Sequence, residues 1–242
     1  MVRAIRAVVV CVTLLGVAAP ASAQLVKWTD NGFVALSGGV QVTGQDVTNS
    51  LTKGLYDETA TLDAERRIAG GLFFDLAAGK RVWNNTGVGF TFSRRSNKAE
   101  VTANSSIPDP TFFDQPRLVQ TKLDDMKFSE TTFAPIVLMG FPVTDVINAI
   151  GFLGPVIRSA SQEIVTDMNI TEGNPVGVNP VRTELSKKFL GIQIGVDLQY
   201  TLTKEFAAGG FVRYTGGGGN LNDEVKLEAP GVQIGVGGRY KF

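Results

Sequence analysis

The sequence predicts an all-β protein, a single closed eight-stranded antiparallel up-and-down transmembrane β-barrel with long external loops. Several segments alternate apolar and polar residues with period two, which is the pattern of strands with two different faces. The connections between these segments are alternately short and long, as in barrels with tight turns at one end and extended loops at the other. An export signal at the start of the chain agrees with this architecture.

The first 23 residues have the features of a cleavable signal peptide. Arg3 and Arg6 form a positive start, residues 7–19 are almost wholly apolar, and Ala21-Ser22-Ala23 ends the segment with the small-x-small pattern of signal peptidase. A retained signal anchor is the alternative, but about thirteen apolar residues are too few to span roughly 30 Å of hydrocarbon. We expect residues 1–23 to be removed and residues 24–242 to form the mature β-barrel domain.

The mature chain lacks the residue types on which most enzyme sites depend. It contains no histidine, and the one cysteine, Cys11, lies in the signal segment. Most catalytic triads and transition-metal sites are thereby excluded, so we expect no enzyme, no metal site and no cofactor. A barrel-type hydrolase or acyltransferase would need a carboxylate-pair mechanism, which no loop specifies. Without Arg3 and Arg6 the 23 basic residues fall to 21 against 23 acidic ones, and no basic run indicates a nucleic-acid partner.

Eight segments are predicted to be strands, and the fourth and fifth are disfavoured by Pro135, Pro142 and Pro155 in or beside them. An even number of strands places both termini at the end with the short turns. The predicted strands lie near residues 33–43, 66–78, 84–95, 130–142, 146–160, 188–201, 205–216 and 230–242. The predicted short turns are 79–83, 143–145 and 202–204, and the predicted long loops are 44–65, 96–129, 161–187 and 217–229.

The last strand indicates which face meets lipid. Val232, Ile234 and Val236 share one face, whereas the other face carries glycines, Gln233 and Arg239. A small, polar face suits the lumen of an eight-stranded barrel, which is just wide enough to be filled by side chains. The reverse orientation, with aliphatic residues inward as in a soluble lipocalin-like barrel, is the alternative. Pairing is expected among the lumen charges because an unpaired buried charge is costly; the candidates are Asp75, Asp197, Arg213 and Arg239.

The chain ends on an aromatic residue, Phe242, with Tyr240 two positions earlier and apolar residues at alternating positions before them. This ending resembles the C-terminal insertion signal that the barrel assembly machinery reads in outer-membrane barrels, although Gly238 departs from the pattern. The whole mature chain resembles small bacterial outer-membrane β-barrel-domain proteins, which are similar in plan to the barrel of OmpA. The resemblance implies the cell outer membrane as location and brings no assigned activity.

A proline-aromatic loop, residues 106–117, is the most distinctive external feature, and it resembles a loop in uncharacterised members of that group. Three prolines stiffen it, and Phe112 and Phe113 place two large apolar rings where polar residues are usual. The rings form either a binding tip or a local core over the barrel mouth, and the local core is the expectation because rigid aromatic loops are usually packed.

Two further groups lie near predicted strand ends. One group is two acidic pairs, Asp124-Asp125 and Asp223-Glu224. Holding a divalent cation, or bridging lipopolysaccharide through one, requires more ligands than these pairs supply, so we expect solvated acidic loops. Aromatic side chains near the periplasmic ends predict a girdle at headgroup level. Its members are Trp28, Trp83, Tyr200, Phe206, Tyr240 and Phe242.

The function predicted from these features is that of an integral outer-membrane barrel with a structural or surface-interaction role and a plugged lumen. A narrow small-solute channel is one alternative, and a soluble lipocalin-like binding barrel is another. The expected partners are outer-membrane lipid and lipopolysaccharide, the barrel assembly machinery during insertion, and a surface ligand at the external loops.

Overall fold

The computed structural model describes residues 28, 30–68, 70–173, 175–220, 226–228 and 231–242, so the predicted signal peptide lies outside the described residues. Within these ranges no helix is long and apolar enough to cross a bilayer. The strands are β1 Gly32–Gln41, β2 Gln45–Leu55, β3 Glu58–Ile68, β4 Leu72–Trp83, β5 Thr86–Ile107, β6 Arg117–Pro142, β7 Ile147–Thr171, β8 Gly177–Thr201, β9 Phe206–Gly216, β10 Gly218–Asn220, β11 Lys226–Glu228 and β12 Gly231–Lys241.

Eight of these strands close into a ring in the order β1-β4-β5-β6-β7-β8-β9-β12, and β12 pairs with β1. Every neighbouring pair in the ring is antiparallel, for example Val34 opposite Tyr240 and Val40 opposite Ile234. Closure removes the open edges, whose unpaired backbone groups would each cost several kcal/mol in hydrocarbon. The ring confirms the predicted fold class and, at the level of fold, the resemblance to small outer-membrane barrels.

The predicted turn at 79–83 is wrong, because β4 continues to Trp83 and the chain reverses at Asn84-Asn85. Asn84 has a φ of 46°, which asparagine tolerates better than most residues. Gly79 is needed for packing and not for a turn. A Cβ atom there would lie 2.5 Å from Leu138 and 2.6 Å from Phe33, both of which fill the barrel interior.

Of the three prolines that disfavoured strands four and five, Pro142 ends β6, while Pro135 and Pro155 lie inside β6 and β7 and point outward. Phe133 pairs with Ile157 and Val137 with Leu153, whereas the ladder is interrupted between these pairs, at Pro135 and Pro155. Proline has no N–H to donate, so a break in the ladder is the physical result. The strands persist because each continues its pairing on both sides of the break.

The predicted long loops are mostly strands, which corrects the prediction for 44–65, 96–129 and 161–187. β5, β6, β7 and β8 continue beyond the barrel as two long hairpins, and residues 45–68 form a third hairpin, β2–β3, that pairs with the upper part of β5. Tyr56 and Asp57, with φ of 54° and 59°, make the two-residue turn of that hairpin. In the loop 217–229 the described residues include the short β10–β11 pair.

We name the part above the barrel the stalk, comprising residues 45–68, 99–126 and 163–186. Pairing between β6 and β7 stops at Phe128 and Gln162, so the two layers separate there. One layer is β2-β3-β5-β6 and the other is β7-β8. Between them lies an apolar core of its own; its buried members are Ala60, Leu62, Ala64, Val101, Ala103, Ile107, Leu123, Met126, Val165, Met168, Val176 and Val178.

Polar contacts tie the two layers together at the edge where β2 meets β7. The Asn49 side chain donates to the carbonyl of Val165 at 2.7 Å. Lys53 donates to the Asp167 carboxylate and to the carbonyl of Met168, each at 2.8 Å. The stalk is thus a packed two-layer unit that stands on four continuous strands of the barrel.

Candidate functional site

The outer face of the barrel is an apolar belt. Residues that alternate along β8, from Leu190 through Ile194 to Tyr200, are between 46% and 76% exposed, while Gln193 and Gln199 between them are buried. The same alternation holds in β12, where Val236 is exposed. Apolar residues outward over about eleven residues of strand match a hydrocarbon band of roughly 25 Å. This orientation excludes the lipocalin-like alternative for the described residues.

Four of the charges inside the barrel are those predicted from the sequence. Arg213 lies 2.8 Å from Asp75, and Arg239 contacts Asp197. Both arginines also stack on aromatic rings: the Arg239 guanidinium lies 3.8 Å from the centre of the Phe33 ring, and that of Arg213 lies 5.0 Å from Phe211. The side chains lie inward because their positions alternate with lipid-facing residues.

Amide side chains extend this polar cluster across the lumen. Arg213 donates to Gln233 at 2.8 Å, and Gln233 donates to Gln41 at 3.2 Å. Gln193 on β8 donates across the lumen to Thr91 on β5 at 2.9 Å. Buried polar groups in a low-dielectric space require such partners, so the network fixes the side chains across the interior.

A second ion cluster at the external mouth of the barrel was missed by the sequence analysis. Glu130 accepts contacts from Arg95 at 2.6 Å and from Arg158 at 2.5 Å, and all three side chains are at most 4% exposed. Arg95 also lies 4.9 Å from the centre of the Phe128 ring. Each of the three residues lies on the inward face of a predicted strand. The sequence does not specify the register between these strands, which brings the three side chains together.

Trp28 does not belong to the aromatic girdle, which corrects the prediction. It is 2% exposed and lies inside the barrel in an apolar cluster with Leu138 and Phe152. Gly140 makes this possible, since a Cβ atom there would lie 2.9 Å from the indole. The Trp28 backbone is held by two contacts. The Asn85 side chain accepts from the Trp28 N–H at 3.0 Å, and Arg81 donates to the Trp28 carbonyl. Below the mouth cluster, the inward face of β6 and β7 is therefore apolar like the outward face.

Charged side chains in the lumen leave little space beside them. The cavity beside Arg239 and Asp197 has a volume of about 10 Å³, about the space of one water molecule. Near the periplasmic end Lys241 lies 3.3 Å from Asp30 and donates to Thr201. The mouth cluster lies at the external end of the lumen, and the Trp28 cluster lies beside the polar network, with the Phe33 ring in contact with Arg239.

The other predicted girdle members are exposed at the periplasmic rim, at 45% to 73%; they are Trp83, Tyr200, Phe206, Tyr240 and Phe242. The Tyr240 ring lies 5.4 Å from that of Phe206 and 6.3 Å from that of Phe242. The Phe242 backbone bonds to Gly32 in both directions, so the last residue still takes part in the closing ladder. The role of Tyr240 and Phe242 as an insertion signal stays a prediction.

Phe112 and Phe113 project from the tip of the stalk with 59% and 70% of their surface exposed, so the expected local core is wrong. The loop that carries them is nevertheless ordered by polar contacts. The Asp109 carboxylate accepts from the N–H groups of Thr111 and Phe112, and the Asp114 N–H donates to Glu58 on the neighbouring hairpin. The two rings are therefore presented outward on a braced turn.

Arg117, Glu172 and Tyr56 join the tips of all three stalk hairpins, and we name this cluster the clasp. Arg117 donates to Glu172 at 2.7 and 3.0 Å, and the Tyr56 hydroxyl donates to the same carboxylate at 2.8 Å. The hydrogen bonds from Arg117 and then from Tyr56 hold the pKa of Glu172 below its ordinary value. The same contact raises the pKa of Tyr56. The clasp fixes the spacing of the three tips.

The acidic pairs show no arrangement for a cation. Asp125 lies 3.1 Å from Lys98, and the Asp124 carbonyl accepts from Arg182. Asp223 and Glu224 lie outside the described residues. Among the residues with described positions, no group of three acidic, histidine or cysteine side chains is placed to hold a metal ion.

Comparison with protein-family models and with curated proteins returned no match. Among solved structures, the chain is similar to Ail of Yersinia pestis, with 15% identity over 86% of this chain and 99% of Ail and a TM-score of 0.38. Neisserial surface protein A has 12% identity over 87% and 97%, with a TM-score of 0.48. The outer membrane protease OmpT from Escherichia coli has 10% identity over 91% and 99%, with a TM-score of 0.49.

Proposed function

We propose that the mature chain is an integral outer-membrane protein whose barrel anchors a rigid external stalk for a structural or surface-interaction role. The observation that carries this proposal is the continuity of β5, β6, β7 and β8, each of which runs from the apolar belt into the stalk core without interruption by a loop. The predicted signal peptide, residues 1–23, supports export, and we propose that it is cleaved after Ala23.

The stalk tip is the proposed contact surface. Phe112 and Phe113 are exposed, yet their turn is braced by Asp109 and by Glu58. Rings held outward in a fixed position lose little conformational freedom on binding, so a smaller entropic cost opposes the binding of a partner. A partner with an apolar or flat surface therefore fits this tip better than a small polar solute.

We propose that the lumen is plugged and does not conduct. The ion cluster at the mouth, the Asp75–Arg213 pair and Trp28 would each have to move to open a continuous wet path. An eight-stranded barrel has an interior that side chains can fill, and here charged and aromatic groups of fitting size occupy it. A narrow solute channel is the competing function.

The proposed lipid partners are outer-membrane phospholipid and lipopolysaccharide around the apolar belt. The proposed transient partner is the barrel assembly machinery, which would read the C-terminal signal formed by Tyr240 and Phe242. Their alternation with Arg239 and Lys241 gives this strand end one lipid-facing and one lumen-facing side.

Fractionation tests the location. Membranes from cells that express the full chain are washed with urea, and the retained protein is run on gels with and without heating. We expect retention in the outer-membrane fraction and a faster-migrating unheated band, because a closed barrel stays folded in detergent. Release by urea with a single band would overturn the proposal.

Planar-bilayer recordings test the plug separately. Purified wild-type protein is expected to show no steady openings, because the lumen ion pairs and Trp28 block the path. Steady single-channel steps from wild-type protein would favour the solute channel over the plugged anchor while leaving the membrane location intact.

A further inference from the structure

A compact polar patch lies on the outward face of β5 and β6, directly above the apolar belt. Three consecutive outward rows of the ladder pair Arg94 with Thr131, Ser96 with Ser129, and Lys98 with Lys127. The next outward residues toward the barrel are Phe92 and Phe133, which belong to the apolar belt. The patch therefore begins where the hydrocarbon ends, at the level of lipid headgroups.

The side chains of this patch are those that bind phosphate. Three rows supply three cations and three hydroxyl groups within two neighbouring strands, about 5 Å apart, over a height of roughly 14 Å. Ammonium and guanidinium groups donate charge-assisted hydrogen bonds to phosphate oxygens, and serine and threonine hydroxyls add neutral donors. Two carboxylates border the top row: Asp125 contacts Lys98 from above, and the Glu163 carboxylate on β7 accepts from the backbone N–H of Lys127 at 2.9 Å.

Lys98 and Lys127 lie directly opposite each other, an arrangement that destabilises a ladder because like charges repel across it. Asp125 relieves Lys98 at 3.1 Å, but both of these side chains are more than 60% exposed, so the ion pair contributes little. An anion placed between the two ammonium groups would remove the repulsion.

An apolar groove flanks the lower part of the patch, and a polar face lies above it. The lower groove, open and about 650 Å³ in volume, runs from Phe92 up beside Arg94, where Phe74 of β4 lies opposite Arg94. The upper groove, about 360 Å³, lies on the outer face of the stalk layer β3-β5-β6 and is lined by Asp63, Asn104 and Gln120. The register places these three side chains in one row, and Gln120 donates to Asn104 at 3.1 Å.

We propose that this face of β5 and β6 binds lipopolysaccharide of the outer leaflet, with its phosphates on Arg94, Lys98 and Lys127. Acyl chains fit the lower groove because it is apolar and faces the hydrocarbon. Sugar hydroxyls fit the row of amide and carboxylate groups in the upper groove, which pairs with donors and acceptors alike. The apolar groove beside Arg94, the three cations and the polar row above them match the acyl, phosphate and sugar parts of a phosphorylated glycolipid beside the barrel. This inference rests on the proposed outer-membrane location.

The acidic residues of the neighbouring strands limit the patch to β5 and β6. Glu163 and Glu184 lie opposite each other on β7 and β8, and Ser161 donates to Glu184. A phosphate there would meet carboxylates. On the far side of the barrel, the outward residues at the top of the described parts of β9 and β12 are Tyr214 and Val232, which offer no cation. Lys188 on β8, opposite Ser159, is a further exposed cation on the same side, so the outward cations named above the belt lie between β5 and β8.

The test uses protein folded in detergent micelles and titrated with purified lipopolysaccharide or with phosphatidylglycerol at equal phosphorus. The readout is the temperature at which the fast-migrating folded band converts to the unfolded band. Ligand bound to the folded state raises this temperature. The test variant is Arg94→Gln/Lys98→Gln/Lys127→Gln, and the matched control is Lys80→Gln/Lys187→Gln/Lys204→Gln, whose exposed cations lie outside the patch.

We expect lipopolysaccharide to raise the conversion temperature of wild type and control at the same concentration. The patch variant should need on the order of a hundredfold more, since each lysine or arginine near an anionic surface contributes roughly a fivefold gain in affinity and three are removed. Phosphatidylglycerol should give a smaller rise. Equal responses of patch and control variants, or an equal rise with phosphatidylglycerol, would overturn the proposal.

These outcomes are independent of the location test. A protein released from membranes by urea would refute the proposed function without any lipopolysaccharide measurement. A protein that remains in the outer membrane and shows equal titrations for the patch and control variants would refute only this inference.

Discussion

The Arg213 Nη2 atom lies 2.8 Å from the Asp75 Oδ2 atom, and the two side chains are only 2% and 4% exposed. The contact is an ion pair without the alignment of a hydrogen bond, because neither atom has a hydrogen-bond partner within the described residues. The pair joins β4 to β9 across the lumen, on strands that do not neighbour each other in the ring. It therefore holds the cross-section of the barrel from the inside.

Removing one member of this pair should destabilise the barrel strongly. Arg213→Gln leaves the Asp75 charge buried and unpaired, so we expect a loss of about 3–5 kcal/mol in the free energy of unfolding. The double variant Asp75→Asn/Arg213→Gln should lose less, because no charge is stranded. Urea unfolding in phospholipid vesicles measures both. Asp145→Asn, in an exposed turn, is the control, and a double variant as unstable as Arg213→Gln would contradict the prediction.

Arginine in the apolar belt should hinder insertion. Ile194 is 54% exposed on the lipid-facing side of β8, so Ile194→Arg should cost about 2–4 kcal/mol at mid-bilayer. Thr166→Arg, on the exposed surface of the stalk, should leave insertion unchanged. The measurement is the fraction of folded band after refolding into vesicles. Equal folded fractions for the two variants would show that the Ile194 face does not meet lipid.

Gly195 responds differently because it faces the lumen. A Cβ atom there would lie 2.7 Å from the carbonyl of Val212 and against the Phe152 ring, so even Gly195→Ala should lower stability. The reason is steric, and the loss should be the same in thin and thick bilayers, whereas the Ile194→Arg effect should grow with bilayer thickness. Urea unfolding in lipids of two chain lengths separates the two causes.

Trp28→Ala should leave a cavity in the apolar cluster inside the barrel. The side chain is 2% exposed and packs against Gly140, so we expect a loss of roughly 3–5 kcal/mol in unfolding free energy from the cavity left behind. Trp83→Ala, on a 73% exposed girdle residue, is the control and should cost less. Near-wild-type stability of Trp28→Ala would place the indole outside the barrel.

The stalk should unfold independently of the barrel when its core is weakened. Ile107 is fully buried between the stalk layers, so Ile107→Ala should lower stalk stability by about 2–5 kcal/mol. Leu118→Ala removes the same kind of side chain at a position that is 83% exposed and should have little effect. Limited proteolysis measures whether the stalk is folded, and the fast-migrating unheated gel band measures whether the barrel is folded. Loss of both together would show that the two parts unfold as one unit.

Acid should loosen the clasp. Because its hydrogen bonds with Arg117 and Tyr56 hold the pKa of Glu172 below the ordinary 4.5, the clasp contributes fully above that value. Its contribution is lost as the pH falls through the lowered pKa of the folded protein. Proteolysis of the hairpin tips by an acid-active protease should therefore rise below about pH 4.5. Glu172→Gln should remove most of this dependence, and an unchanged pH profile in that variant would contradict the assignment.

Period-two alternation was sufficient to predict the barrel wall. In β8, β9 and β12 the predicted lipid face and lumen face are those of the structure, because each residue there has only two choices of direction. The same pattern is present in the stalk, where Val101, Ala103 and Ile107 alternate with polar residues. The sequence nevertheless predicts a loop there, because the surface that this pattern buries belongs to hairpins far away in sequence.

Trp28 and Gly79 show what the sequence could not specify. An aromatic residue close to the first strand fits a girdle and a lumen plug equally well, and the choice depends on the space that Gly140 leaves inside the barrel. A glycine beside lysine and arginine predicts a turn. Position 79 instead requires a residue without a side chain, because Phe33 and Leu138 fill the lumen beside it. Both outcomes follow from packing across the ring.

Because β6, β7 and β8 have 26, 25 and 25 residues without an intervening hinge, each is a single rod of roughly 80 Å. A pull on Phe112 or Phe113 is therefore transmitted along the hydrogen-bond ladders into the membrane as shear, shared by many bonds at once. Ladders loaded in this direction resist rupture better than ladders peeled open from one end. Tension applied at the tip along the strand axis would therefore be resisted by the whole length of these ladders.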